Sequence, residues 1–266
     1  MTQATTGPQP SQREIDYQKR FRDRFVSETP GWYRGEMHLA FTLFVTLGTA
    51  LWCWSSIENA TAWEWGLIVP IFLFGNWCEW AGHRWLLHHP VKGLEAIYYR
   101  HAGVHHQFFT NHDLSYKGQK QWRALLFPPF APIAFLLAAA PAALVMWAVW
   151  SSNAGLIVML TMAGYFVMYE GLHTSAHLVS PRWAWLKYVP LINTVRFMHI
   201  THHDLGYMQT RNFNLTFPIC DALFGTSDIN RGLIGTLFNG ENRKYLRSDL
   251  ERATPPQDVG QAVDAT

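Results

Sequence analysis

Cysteine is scarce in this chain, with three in 266 residues. Cys53, Cys78 and Cys220 lie far apart and two of them fall in long apolar stretches, which excludes a disulfide framework and a CxxC metal site. Charged residues are also few, at 15% of the chain, and a net charge of +2 is too slight to imply an acidic partner. A glycine-rich dinucleotide loop, a P-loop and a basic nucleic-acid motif are all missing, which removes nucleotide-driven chemistry and nucleic acid from the expected partners. There is no HExxH, so the commonest helical zinc-hydrolase arrangement is missing too.

The shortage of charge is local. Met37 to Trp54, Trp63 to Trp80, Phe127 to Trp150 and Ala154 to Tyr169 carry no Lys, Arg or Asp. Each approaches the roughly 20 residues that a bilayer-spanning helix needs. Trp52, Trp54, Trp63, Trp65, Trp77, Trp80, Trp147 and Trp150 sit near the ends of these stretches, where indole rings settle at headgroup level. Pro70, Pro128, Pro129, Pro132 and Pro141 would kink or shorten helices, and the third stretch also reads as two half-helices either side of Pro141. All 21 Lys and Arg lie before the first stretch, between the second and third, or after Glu170. With four spans those regions share one side, which the positive-inside tendency makes cytoplasmic.

The expected fold is therefore all-α and integral to a membrane, with four transmembrane helices and a cytoplasmic, helical, histidine-rich cap. Residues 1–36 form a cytoplasmic N-terminal segment, 37–252 a single membrane-embedded domain and 253–266 a disordered tail. Residues 1–12 are polar and expected to be disordered. Arg13 to Glu28 reads as a surface helix, and Ile15, Tyr17, Phe21, Phe25 and Val26 among charged neighbours suit either an interfacial helix or a solvated one. No secretory signal is expected, because about 36 polar and charged residues precede the first apolar run.

What the chain does have is histidine. Ten of thirteen fall into four clusters: His83 with His88; His101, His105 and His106; His173 with His177; His199, His202 and His203. Imidazole is close to neutral at physiological pH and offers a lone-pair nitrogen, so groups at one-turn spacing are a way to hold transition metals. Ten exceeds what one ion takes, and two ions is the economical reading. On an α-helix His199, His202 and His203 share a face, as do His173 with His177 and His101 with His105. His83 and His88 do not, because five residues turn an ideal helix by roughly 140° beyond a full circle, so a helix end or distorted turn is expected there. His106 relative to His101 meets the same difficulty. Every cluster falls on the expected cytoplasmic side.

An all-nitrogen donor set beside a bilayer points to oxygen chemistry on lipid. Acid and base groups cannot attack an alkyl C–H bond, whereas a metal with open coordination positions can bind and reduce dioxygen. HRWLLHH at 83–89, HAGVHH at 101–106, HTSAH at 173–177 and HITHH at 199–203 resemble the histidine boxes of the fatty acid hydroxylase and sterol desaturase superfamily. NFNLTFPICDALFGT, from Asn212 to Thr226, resembles the phenylalanine-rich segment ending in LFGT that follows the last box there. The resemblance covers roughly residues 75–226. It implies that all ten clustered histidines ligate two metal ions, non-haem iron in active members, with zinc an alternative in purified protein. It also implies hydroxylation or desaturation of a lipid alkyl chain or sterol-like substrate, using dioxygen and electrons from a separate ferredoxin- or cytochrome-type donor. One box departs from the pattern. The family's second box is HxxHH, whereas three residues separate His101 from His105, so either a bulge accommodates His101 or a neighbour such as His89 or His112 replaces it.

Other residues are candidates for support. Glu79 and Glu170, and Asp113 and Asp204, could each orient a ligand imidazole, or serve as ion pairs and caps. His38 is expected to be interfacial with no metal role. Tyr116, Tyr165, Tyr169 and Tyr207 could line a path or simply pack. The competing functions are a zinc-dependent membrane hydrolase and a non-enzymatic metal- or haem-binding membrane protein. The expected location is a bacterial inner membrane rather than the endoplasmic reticulum.

Overall fold

A computed structural model of the chain describes residues 10–247. Of the residues expected to be disordered, 1–9 and 253–266 lie outside the described residues, while at the end of the expected 1–12 tail Ser11 caps α1 and Gln12 opens it. In chain order the helices are α1 (Gln12–Glu28), α2 (Gly35–Ser56), α3 (Ala62–Gly66), α4 (Ile68–Ala81), α5 (Glu95–Tyr98), α6 (His106–Phe108), α7 (Trp122–Leu125), α8 (Ala131–Val149), α9 (Ser152–Ala176), α10 (Ile192–His202), α11 (Ile219–Leu223) and α12 (Gly232–Leu237). Two π-helical segments, Gly82–Leu87 and Tyr99–His105, are set between them. Among the described residues there is no β-strand, in keeping with the all-α expectation. These residues divide into two compact units. One comprises 10–33, Glu79–Leu125 and 172–247, and the other Arg34–Cys78 and Leu126–Gly171.

The second unit holds the long apolar helices. α2, α8 and α9, of 22, 19 and 25 residues, are long and apolar enough to cross a membrane. Among the described residues that makes three such helices, not the expected four. The second apolar stretch divides at Leu67 into α3, with 5 residues, and α4, with 14. Pro70 supplies the reason: it has no N–H to return to the Gly66 carbonyl, and Leu67 bonds back to Glu64 instead, at 3.0 Å. Pro141, by contrast, does not split α8, which runs through it as one helix. Alanines on both sides, at 138–140 and 142–143, leave the pyrrolidine ring little to meet.

The core of this unit is built of small and flexible side chains. Ala139 and Ala143 of α8 pack on Val158 and Met162 of α9, with Ile71, Phe135, Met146 and Met159 around them. α9 is 56% buried over its most apolar window, against 22% for α2 and 17% for α8, so α9 is central while Phe44, Leu51, Leu137 and Leu144 leave broad apolar sides bare. Such sides suit hydrocarbon better than water. Polar contacts tie the two ends of the bundle. At one end His38 donates from Nε2 to the Phe127 carbonyl at 2.8 Å, and the Phe127 N–H donates to Glu170 Oε1 at 3.1 Å. His38 is thus buried, where the sequence suggested an interfacial position. Phe127 precedes two prolines and its carbonyl has no helical donor, so the imidazole satisfies it. At the other end Asn153 exchanges hydrogen bonds with the backbone of Glu58, and Ser151 donates to Glu64, whose carboxylate also caps α3.

The first unit is held together differently. α1 begins at a Ser11–Glu14 capping box and turns Gln18, Phe21, Arg22 and Phe25 inward. Phe25 meets Phe108 edge-on at 5.4 Å, and both join a cluster of Val104, Phe109, Leu114, Ala124 and Leu125. Gln18 and Arg22 donate to the Phe108 and Asp113 carbonyls, and Arg22 pairs with the Asp113 carboxylate at 2.6 Å. The helix is a strut packed on protein; its aromatic residues at 21 and 25 do not form an interfacial face, because the aromatic core they enter already covers them.

Gly155 marks the closest approach in the second unit, where an added Cβ would lie 2.7 Å from the Ala143 carbonyl and 2.9 Å from Trp147 Cβ. Gly155→Ala should therefore cost about 1–3 kcal/mol by overpacking against backbone. Gly164→Ala, with open space at its Cβ, should leave the melting temperature in detergent unchanged. Equal thermal melts for the two variants would show that the α8–α9 contact is looser than described.

Candidate metal centre

The ten clustered histidines come together in the first unit as two groups of five. His83, His88, His101, His106 and His202 form one; His105, His173, His177, His199 and His203 form the other. Within each group the possible ligand nitrogens all lie within 4.8 Å of one another, and every ring is buried. The groups adjoin, since the His106 and His203 rings stack at 4.3 Å. His101 lies in the first group. His89 and His112 lie in neither, and His89 is exposed with Nδ1 against the Arg84 carbonyl at 2.9 Å.

The two awkward five-residue spacings are met by the two π-helical segments. His83 lies within Gly82–Leu87 and His88 caps its end, and the His106 N–H donates to the His101 carbonyl, the i→i+5 bond of π winding. A wider turn takes in one more residue, so positions five apart return toward the same side. This explains the extra residue in the second box. It also separates residues expected together: His101 joins His106, while His105 points into the other group. On α10 the split is similar, with His199 and His203 in the second group and His202, at the last turn, in the first. Neighbouring positions on a helix point about 100° apart, which lets one segment feed two sites.

Outer nitrogens fix the rings. His83 Nδ1 donates to the Phe213 carbonyl at 2.5 Å, His202 to Arg211 at 2.8 Å, His105 to Ala124 at 3.0 Å, His177 to Leu114 at 3.0 Å and His203 to Phe109 at 2.6 Å. A carbonyl only accepts, so in each of these rings Nδ1 carries the proton and Nε2 faces inward as a bare lone pair. His105 Nε2 and His203 Nε2 are then 3.2 Å apart with no proton between two neutral rings. Facing lone pairs repel unless a cation lies between them. Protonation is a poor remedy, because burial and the neighbouring imidazoles hold these rings below their usual range: His88 down to about 2, His105 to about 3 and His202 to about 4. His83, His101, His106, His177, His199 and His203 are likewise held well below it, with burial the leading cause in each. The donor set fits two transition-metal ions with imidazole ligands.

The carboxylates named as possible supports do not take this role through the contacts seen. Asp113 is engaged by Arg22 and Ser115, and Asp204 accepts from Asn111 Nδ2 and the Gly206 N–H, both at 2.8 Å. Glu79 accepts from the Thr216 N–H at 3.0 Å and its hydroxyl at 2.6 Å, and from the Leu215 N–H. Glu170 belongs to the other unit and accepts from Phe127. Backbone carbonyls do the orienting instead. Tyr116 packs on the aromatic cluster of the first unit, and Tyr165 lies against Gly75 in the second.

Sequence reasoning missed Asp221 and Asp228. Asp221 is fully buried and accepts from the Phe213 N–H at 3.0 Å, the Asn214 N–H at 2.7 Å and the Thr226 hydroxyl at 2.6 Å. It winds the Asn212–Thr226 segment around itself, so that the Arg211 and Phe213 carbonyls meet His202 and His83. Trp80 locks the same loop by donating to Thr226 Oγ1 at 2.9 Å. Asp228, also buried, accepts from Thr201 Oγ1 at 2.7 Å between His199 and His202. Burial raises both carboxyls, Asp228 to about 6. A signal was present, since each is an acid in a stretch of otherwise apolar and small residues.

Comparison of the chain with family models, with curated proteins and with solved structures finds no match.

Asp221→Asn places an amide NH₂ where N–H groups already point, so it should loosen the loop and lower metal retained at the first group, read as fewer ions per chain by elemental analysis. Unchanged content and melting would remove the loop from the support of His83 and His202. Acid should also destabilise the metal-free protein. In the unfolded chain each histidine titrates near ~6.5, while the folded values lie lower, so stability is constant above that pH and is lost as pH falls below it. Each depressed histidine contributes a slope of about 1.4 kcal/mol per pH unit in that window. Circular dichroism in detergent should show stability falling steeply from pH 6.5 to pH 4; a flat response would mean that the rings are not held neutral.

Proposed function

We propose that the protein is an integral-membrane dimetal oxygenase of the fatty acid hydroxylase and sterol desaturase kind, hydroxylating, or desaturating, a lipid alkyl chain or sterol-like substrate. The observation that carries this reading is the pair of five-imidazole groups, buried, neutral and with facing lone pairs, in a chain that also has three helices apolar enough to cross a membrane. Two iron ions held there would supply the dioxygen chemistry that an unactivated C–H bond requires.

The chain's own residues have three tasks in this mechanism. The ten histidines hold the ions: His83, His88, His101, His106 and His202 one, and His105, His173, His177, His199 and His203 the other. Five backbone carbonyls hold rings in the Nδ1–H tautomer, so that Nε2 is free to bind. Burial excludes water, which would otherwise quench reactive oxygen species. Hydroxylation overall consumes one dioxygen, two protons and two electrons for each C–H converted to C–OH, releasing one water. The electrons come from a separate ferredoxin- or cytochrome-type donor.

Charge supports a cytoplasmic site. Of the Lys and Arg among the described residues, only Arg34 falls in the unit of the apolar helices, and the ten clustered histidines share the other unit with the rest. The positive-inside tendency puts that unit in the cytoplasm, with a bacterial inner membrane the preferred location. A hydrolase reading has less support, because no carboxylate joins either histidine group among the described residues to serve as general base.

Protein purified without chelator should carry two irons per chain, and lipids from cells making it should include a species heavier by one oxygen atom, dependent on dioxygen. His203→Ala should lower metal content and abolish that product. Zinc alone with oxygen-independent turnover would sink the proposal.

A further inference from the structure

The stretch that joins the third and fourth histidine boxes contains no acid. Between Glu170 and Asp204 the Lys and Arg residues are Arg182, Lys187 and Arg196, and Arg196 is buried, donating to the Ser175 and Leu178 carbonyls. Within this stretch Pro181–Tyr188 winds as a 3₁₀ segment, entered from extended Ser180 with proline at its first position. Three residues per turn set every third side chain in one row. Trp183, Leu186 and, at the end, Val189 form the inward row, with Leu186 buried and the other two half-buried. Arg182, Trp185 and Tyr188 form an outward row, and all three are exposed, as is Lys187 beside them.

A row turned to water would carry polar side chains, yet this one carries a tryptophan and a tyrosine, each more than half exposed. Cations stay with the rings. Arg182 lies over Trp183 at 5.3 Å and Lys187 over Tyr188 at 5.1 Å, and neither forms an ion pair among the described residues. A second apolar face meets the end of this segment. Asn193 donates from Nδ2 to the Lys187 carbonyl at 3.1 Å, and a Cβ added at Gly240 would lie 3.0 Å from the same nitrogen. Gly240 follows α12, on which Ile234 and Phe238 stand one turn apart and are both more than half exposed. From 205 to 247 Asp221 and Asp228 are buried, and Glu241 is the one exposed acid against Arg211, Arg231, Arg243, Lys244 and Arg247.

We propose that the row of Arg182, Trp185 and Tyr188, with Ile234 and Phe238, is a membrane-interface anchor bedded in the headgroup layer of an anionic lipid surface. The inference is independent of the chemistry at the histidines. Indole and phenol rings settle at headgroup level, and Arg and Lys lay their stems along apolar surface while their charges reach lipid phosphates. Basic residues close to an anionic leaflet are drawn to it. A partner protein would have to supply carboxylates and an apolar pocket together, whereas a bilayer offers phosphates above acyl chains over its whole extent. A chain with three helices long and apolar enough to cross a membrane has such a surface within reach. Since α10 begins shortly after Tyr188, the anchor would also fix the entry to the helix that carries His199, His202 and His203.

The test uses the full chain in nanodiscs of phosphatidylcholine, alone or with phosphatidylglycerol. Each disc includes a lipid of one headgroup or the other bearing a photoactivated diazirine just below the glycerol, and labelled peptides are located by mass spectrometry. Peptides covering 181–190 and 232–238 should be labelled about fivefold more by the phosphatidylglycerol probe, the factor that one basic residue near an anionic surface contributes. That excess should shrink as salt rises. Arg182→Gln with Lys187→Gln should remove the excess, and Trp185→Ser with Tyr188→Ser should lower labelling by both probes, with helicity and the labelling of α2 and α8 unchanged. Unlabelled peptides at 181–190 and 232–238 alongside labelled α2 and α8 would overturn the proposal, as would equal labelling by the two probes. Cross-linking of two copies through Lys187 in place of lipid labelling would also overturn it, and assign the face to a second protomer.

Discussion

Ten imidazole rings are pressed together out of water, five of them with the Nε2 lone pair turned inward by an Nδ1–H bond to a carbonyl, and the first unit is organised around that congestion. Burying a polar nitrogen without a partner costs free energy, and burying it against another lone pair costs more. Two features make the arrangement tenable. Each of five rings spends its outer proton on a backbone carbonyl, and the inner nitrogens share positions at which a cation would satisfy several at once. Without the carbonyls the rings could rotate and exchange tautomers, and the two groups would not remain distinct.

Those carbonyls come from residues that are not themselves ligands. Leu114 and Phe109 belong to the turn that α1 braces through Gln18 and Arg22. Ala124 lies in α7, in the same aromatic cluster. Arg211 and Phe213 border the loop wound around Asp221, which Glu79 and Trp80 anchor from the chain just before the first box. The surrounding structure thus acts as an orienting layer, and what resembles peripheral packing determines which nitrogen each ring presents.

Much of this was legible in the sequence. The ten histidines and their division into four boxes needed only the chain, as did the helical character of the apolar stretches. The irregular five-residue spacings at His83/His88 and His101/His106 announced a distorted turn. Other features were not legible. A proline in an apolar run splits a helix in one case, at Pro70, and not in the other, at Pro141, where alanines on both sides leave room for the ring. Glu79, Asp113 and Asp204 sit beside boxes and invited a role on imidazoles, yet each is drawn to closer backbone or side-chain donors. Asp228 was overlooked because its donor Thr201 lies 27 residues away, and Asp221 because its donors, though local at 213, 214 and 226, are backbone and hydroxyl groups that no motif announces.

The sequence by itself determined the donor atoms: imidazole nitrogens, in number enough for two ions, at spacings close to helical, in a chain with membrane-length apolar helices. Only the tertiary structure decided the partition. Which five histidines converge depends on π winding within two segments and on the meeting of four boxes far apart in the chain, so adjacent residues such as His105 and His106, or His202 and His203, part company. Local spacing sets the direction in which a side chain leaves its own helix. It carries no information about which other helix stands opposite, and that is the distance over which a metal site is built.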